Sequence, residues 1–261
     1  MAKALGAGAL WTLVKEARIA AEDDRPLVVS GALADKLAEE LARGATPGAV
    51  VTGRSPDRAA AVVRVLAGEA TAEDEAELRA ANRAGTPVVA VQTSGRGDGD
   101  VPYVLATSVV VVPPGAGFPV DEILKALADR LGEHGTALAA RLPALREPLA
   151  AALVESFARK NAVLAAAIFV PGADFPILTL NQLRLVLRIA AAYGVEVDAS
   201  RVPELAATLG AAVGLRGVAR RLLASVPVAG FALKAGVAYA GTRAVGEAAQ
   251  RYFAARTAAA D

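Results

Sequence analysis

The chain has 261 residues, 54% of them apolar, and a net charge of +1, enough length to bury one large core or two modest ones. It has no cysteine and a single histidine, His134, which excludes disulfides, thiolate catalysis, cysteine-ligated metals and multi-histidine metal sites. Aromatic residues make up 4%, too few for the platforms on which nucleic-acid bases stack, so no nucleic-acid partner is expected.

The N-terminus, "MAKALGAGALWTLVKEARIAAEDD", has its apolar stretch interrupted by Lys15, Glu16 and Arg18. That pattern predicts an amphipathic helix over residues 1–25 of a protein that is not secreted. From residue 26 to 136, short β-branched runs alternate with helical patterns. "PLVVS" (26–30) reads as a buried strand and "ALADKLAEELARG" as a helix stopped at Gly44. "GAVVTG" (48–53) and "AAVVRVLAG" (60–68) are the next two strands. Thr71 opens the helix "TAEDEAELRAANRAG", with Asp74 at the capping-box position and acids gathered in the first turn. "TPVVAVQTS" is a further strand, and "YVLATSVVVVP" holds another before the helix "VDEILKALADRLGE". This order predicts an α/β domain with a mainly parallel, doubly wound sheet.

After Leu131 the pattern changes. "GTALAARLPALREP" reads as a proline-punctuated connector that leads into an all-helical apolar domain, the two together assigned to 137–256, with a tail at 257–261. Helices are legible at 147–169, 180–193, 202–212, 215–225 and 228–256. For the second of these, Thr179 and Gln182 form a capping box and Gly194 supplies the stop. In the last, Gly236, Ala240, Ala244 and Ala248 recur every fourth residue, a smooth ridge for close helix approach and a candidate homo-oligomer contact. Charge is divided unevenly: residues 1–136 carry 14 basic and 19 acidic side chains, residues 137–261 carry 14 and 8. A basic second half suits an acidic surface. Arg216, Arg220 and Arg221 lie on or beside one helix and are candidate lipid or partner contacts.

Candidate chemistry is sparse. Asp98 and Asp100 in "GRGDGDVP" lack the further oxygen ligands of a calcium loop. His134 at a helix end is read as structural, and no Gly-x-Ser-x-Gly elbow is present. Asp174, after Pro171-Gly172, is read as one half of a fold-specifying ion pair with Arg184 or Arg188, in preference to a catalytic acid. No cofactor is expected. No uncharged run of spanning length is free of proline: Val101 to Val120 contains four.

Residues 62–94, "VVRVLAGEATAEDEAELRAANRAGTPVVAVQTS", resemble the middle of Era-like small GTPases, where such a helix precedes a strand ending in Asn-Lys-x-Asp. "VPYVLATSVVVVPPGAGFPVDEILKALADRL" resembles the last strand and closing helix of that fold, so the likeness covers about residues 26–133. The functional residues are not carried over. After the first strand stands "SGALADKL" without phosphate-loop spacing, and Lys36 falls inside the helix. Gln92-Thr93-Ser94 replaces the base-recognition motif, and the third strand offers no aspartate for magnesium. A degenerate GTPase-like domain is therefore expected, without GTP hydrolysis.

"FARKNAVLAAAIFVPGADFPILTLNQLRLVLRIAAAYGVEVD" (157–198) and "LLASVPVAGFALKAGVAYAGTRAVGEAAQRYF" (222–253) resemble the family catalogued as domain of unknown function 697 (DUF 697). Its hallmarks are an apolar segment entering a Pro-x-x-Asp turn, an "LNQ" helix ending in Tyr-Gly, and a terminal small-residue helix. The resemblance implies a helical, membrane-associated module that often follows a GTPase-like domain, on the cytoplasmic side of the membrane. It implies no reaction and no catalytic residues. The expected function is thus non-catalytic: a pseudo-GTPase domain joined to a helical domain that engages a membrane surface or membrane protein, or a scaffold whose apolar ridge makes a homo-oligomer. The alternative is a soluble small-ligand binder or enzyme with a pocket at the C-terminal ends of the strands, lined by loops 30–34, 52–56 and 92–100.

Overall fold

The computed structural model describes residues 7–93, 100–167, 174–196 and 230–259. The chain divides into two compact units, 23–149 and 1–22 with 150–261.

The first unit is α/β. Strands β1 (Leu27–Gly31), β2 (Val50–Thr52), β3 (Ala61–Leu66), β4 (Val88–Gln92) and β5 (Val109–Val111) form one sheet in the order β2-β1-β3-β4-β5. Every pairing is parallel. β3 and β4 are buried along their whole length, which is why they read as continuous β-branched runs and not as alternating ones. The step from β1 to β2 runs one way along the sheet and that from β3 to β4 the other. Right-handed crossovers then put the intervening helices α2 (Ala34–Leu41) and α3 (Ala72–Ala84) on opposite faces.

The face under α3 is a core of Val28, Val62, Leu66, Val88 and Ala90, closed by Leu78 and Ala81 of the helix. α3 starts with the expected box: Thr71 Oγ1 accepts from the Asp74 N–H while the Asp74 side chain accepts from the Thr71 N–H. It ends at Gly85, whose φ of 67° is left-handed. α2 contributes Leu37 and Leu41 to the interior. The helix α4 (Val120–Leu131) contributes Ile123, Leu124, Leu127 and Leu131.

The expected connector after Leu131 is part of this unit. It forms the short helix α5 (Thr136–Arg141), and Leu138, Leu142, Leu145 and Leu149 are all buried. The Thr46 N–H donates to the Arg141 carbonyl at 2.8 Å. The Arg141 guanidinium donates to the carbonyls of Asp24 at 3.0 Å and Arg25 at 2.6 Å. The sheet unit therefore ends near residue 149, not 136, because the leucines at three- and four-residue spacing have a core to enter.

The second unit is helical. Its described helices are α1 (Ala7–Ala21), α6 (Arg146–Ala167, from residue 150 onward), α7 (Asp174–Ala192) and α8 (Gly230–Ala258). The N-terminal helix is thus not a separate arm. Leu13, Val14 and Ala17 pack against Leu180, Leu183 and Leu187 of α7, and Glu16 meets Arg184 at 3.1 Å. Gly194, at φ 71°, stops α7 where expected. The helices expected at 202–212 and 215–225 lie outside the described residues, and α8 runs on into the expected tail.

Candidate functional site

Ligands of open parallel sheets bind outside the C-terminal strand ends, where the strand order reverses. In this chain that place is the junction of β1 and β3. Their pairing carries on to Gly31 and Val65, and the Ala32 N–H then donates to the Val65 carbonyl at 2.9 Å. A Cβ on Gly31 would lie 2.1 Å from that carbonyl oxygen, and φ there is +88°, so only glycine fits. The link from β1 to α2 is Ala32-Leu33 alone, with Leu33 exposed and left-handed at φ 55°. The junction is filled by backbone, and the amide that would face a phosphate is engaged with Val65.

Just below it, on the α3 face, lies a charged cluster that sequence reasoning missed. Arg64, in the middle of β3, is 6% exposed. Its Nε donates to Asp74 Oδ1 at 2.7 Å, and Nη2 reaches the same oxygen at 2.7 Å. Its Nη1 pairs with Glu77 Oε2. Ser30 Oγ on the neighbouring β1 donates to Glu77 Oε1 at 2.5 Å. The Thr71 N–H and hydroxyl donate to Asp74 Oδ2 at 2.8 and 2.7 Å. Burial pushes the Asp74 carboxyl up, but the hydrogen bonds from Thr71 and the Arg64 guanidinium hold it below its ordinary value. An ionised carboxylate with both oxygens occupied is a brace between strand and helix, not an acid or base. The signal in the sequence was a lone arginine inside a six-residue apolar strand, with acids three residues apart on the following helix.

Gln92 lies at the end of β4 and is 4% exposed. Its Oε1 has no hydrogen-bond partner among the described residues. Loop 94–99, which would continue the alternative pocket, lies outside the described residues, as does Asp98.

In the helical unit a buried polar network joins three helices. Asn161 Nδ2 on α6 donates to Thr242 Oγ1 on α8 at 2.8 Å. Asn181 Nδ2 on α7 donates to Asn161 Oδ1 at 3.0 Å. Gln182 Nε2 reaches Thr242 Oγ1 at 3.4 Å. Asn161 and Thr242 are fully buried. The "LNQ" stretch thus supplies hydrogen bonds that fix helix register. Gln182 is no capping partner, because α7 begins at Asp174 and Thr179 lies within it.

That start also separates the expected ion pair. Asp174 and Arg184 are ten residues apart on one helix, about 15 Å along its axis, and Arg188 lies farther still. Arg184 pairs with Glu16 instead, and Arg188 is half-buried farther along α7. The small-residue ridge is likewise not the packing face of α8. Gly236 and Ala240 are exposed and Ala244 and Ala248 half-buried, while Thr242, Val245, Gly246, Ala249 and Phe253 are buried. The close approach is at Gly246, where a Cβ would meet Val154 Cγ2 at 2.5 Å and Leu185 Cδ2 at 3.0 Å. Arg216, Arg220 and Arg221 lie outside the described residues.

Large apolar side chains are exposed on all four described helices: Trp11 and Ile19 on α1, Val163 on α6, Ile177 on α7, Leu233 and Tyr252 on α8. Among the described residues no helix is long and apolar enough to cross a membrane. No group of three His, Asp or Glu side chains among them is placed to hold a metal ion.

Comparison with protein-family models, characterised proteins and solved structures finds no match. The two resemblances drawn from the sequence therefore stand on the quoted motifs alone.

Proposed function

We propose that this is a non-catalytic two-module protein, a pseudo-GTPase sheet domain joined to a helical domain that docks on a membrane surface. The observation that carries this reading is the exposure of large apolar side chains on every described helix of the second unit. Such side chains, on a unit (residues 1–22 and 150–261) that carries 15 basic and 9 acidic residues, suit an anionic lipid surface. The filled β1–β3 junction and two-residue β1–α2 link support the loss of a phosphate site. The likeness to DUF 697 agrees with the membrane address, and the absence of a spanning helix among the described residues is compatible with peripheral attachment. Flotation of the purified protein with anionic vesicles tests the reading. Recovery in the lipid fraction is expected, and full recovery in the soluble fraction overturns it.

The soluble ligand-binding alternative is favoured by one observation, the buried Gln92 Oε1 at the C-terminal end of β4, which has no donor among the described residues. It requires a small molecule whose stabilisation of the protein is abolished by Gln92→Met.

A further inference from the structure

We infer that the outer face of α1 is the element that enters the lipid interface, lying in the membrane plane on an anionic bilayer. The inference rests on the membrane reading above and names the surface that carries it out.

The inner face of α1 is committed: Leu13, Val14 and Ala17 are packed on α7, and Glu16 is paired with Arg184. At 3.6 residues per turn, Trp11, Lys15, Arg18 and Ile19 fall within an arc of about 100° on the opposite side. All four are exposed, Trp11 at 60% and Ile19 at 55%. The charged groups on this arc are Lys15 and Arg18, with Glu22 just past the helix end. The arc thus combines two large apolar groups with two cations, the composition of a helix that lies in an interface. The Lys15 ammonium sits 5.3 Å from the centre of the Trp11 ring, so the indole is already paired with a cation, as suits the headgroup layer where tryptophan accumulates. Trp11 and Ile19 would enter the boundary with the acyl chains, and Lys15 and Arg18 would meet lipid phosphates. A neutral apolar groove on a partner protein would leave both cations without counter-charge, which is why an anionic lipid is the better occupant.

Trp11 is the only tryptophan in the chain, so its fluorescence reports on this face alone. The full-length protein is titrated with vesicles of phosphatidylglycerol and phosphatidylcholine, and with phosphatidylcholine alone. On the anionic vesicles the emission should move to the blue, and lipids brominated near the headgroup should quench it. Lys15→Gln/Arg18→Gln, whose side chains are exposed and can change without disturbing the packing on α7, should weaken partitioning about thirty-fold. An unchanged far-UV spectrum shows that the variant is folded. If the wild type floats with vesicles while Trp11 emission stays unchanged and the double variant binds equally well, the α1 inference fails and the wider membrane reading survives. If nothing binds, both fail.

Discussion

Replacing Arg64 with methionine keeps the aliphatic stem in β3 and removes the guanidinium. Asp74 and Glu77, 10% and 21% exposed at their side chains, would then lie side by side on α3, turned toward β3 without a cation. Removing one partner of a buried ion pair costs roughly 3–5 kcal/mol, and the partial exposure of Glu77 places this case at the lower end, about 3 kcal/mol. With a urea slope of about 2 kcal/mol per molar, the midpoint of the sheet unit should fall by about 1.5 M. The loss should depend on pH. In the wild type the folded Asp74 pKa is depressed, so its contribution is present above the unfolded value of about 3.9 and disappears as pH falls through the folded value. In Arg64→Met the burial that pushes the Asp74 carboxyl up is no longer offset by the guanidinium, so the penalty is largest near neutrality and is relieved by acid. The gap between the two proteins should therefore be widest near pH 7 and should narrow below about pH 4. Glu77→Gln added to Arg64→Met should recover part of it. Urea unfolding followed by circular dichroism at both pH values makes the measurement. A midpoint shift equivalent to less than about 1 kcal/mol at pH 7, or an equal shift at both, would refute the assignment of Arg64 as a brace.

Asn161→Ala strips partners from Thr242 and Asn181 inside the helical unit, and should lower its stability by about 1–3 kcal/mol in calorimetric unfolding; a neutral result contradicts the network. Gly246→Ala drives a methyl into Val154 and Leu185 and should cost about 1–3 kcal/mol. Gly236→Ala, with nothing within 4 Å of the new Cβ, should raise the melting temperature through better helix propensity; the reverse order would put the packing face on the wrong side of α8. Gln92→Met removes a buried acceptor that has no partner among the described residues and should stabilise the protein by about 1 kcal/mol in urea unfolding. A loss of stability would show that the amide is engaged.

The sheet unit was the more legible half. Its strands are short and buried on both faces, and the capping box at Thr71 and Asp74 gives α3 an unambiguous start. What the sequence concealed was Arg64, since a charge in an apolar strand acquires its meaning only from partners ten and thirteen residues away. The helical unit misled in a different way. Thr179 and Gln182 read as a capping box for a helix from residue 180, yet α7 extends back to Asp174, and Pro176 fits its first turn because the missing N–H is one that an α-helix does not use there. The alanine ridge of α8 was visible, but alanine recurs on several faces of that helix, and the buried face is identified only by Thr242, Gly246 and Phe253. The segment from Ala137 to Leu149 read as a connector because of Pro143 and Pro148, while Leu138, Leu142, Leu145 and Leu149 at core spacing were the better guide.

The central claim is that the helical unit docks on anionic lipid, and its most direct test is partitioning of the intact protein measured at graded phosphatidylglycerol content and ionic strength. Binding should rise steadily with anionic lipid and fall as salt is added. Equal binding at every lipid composition, or none at any, would contradict it.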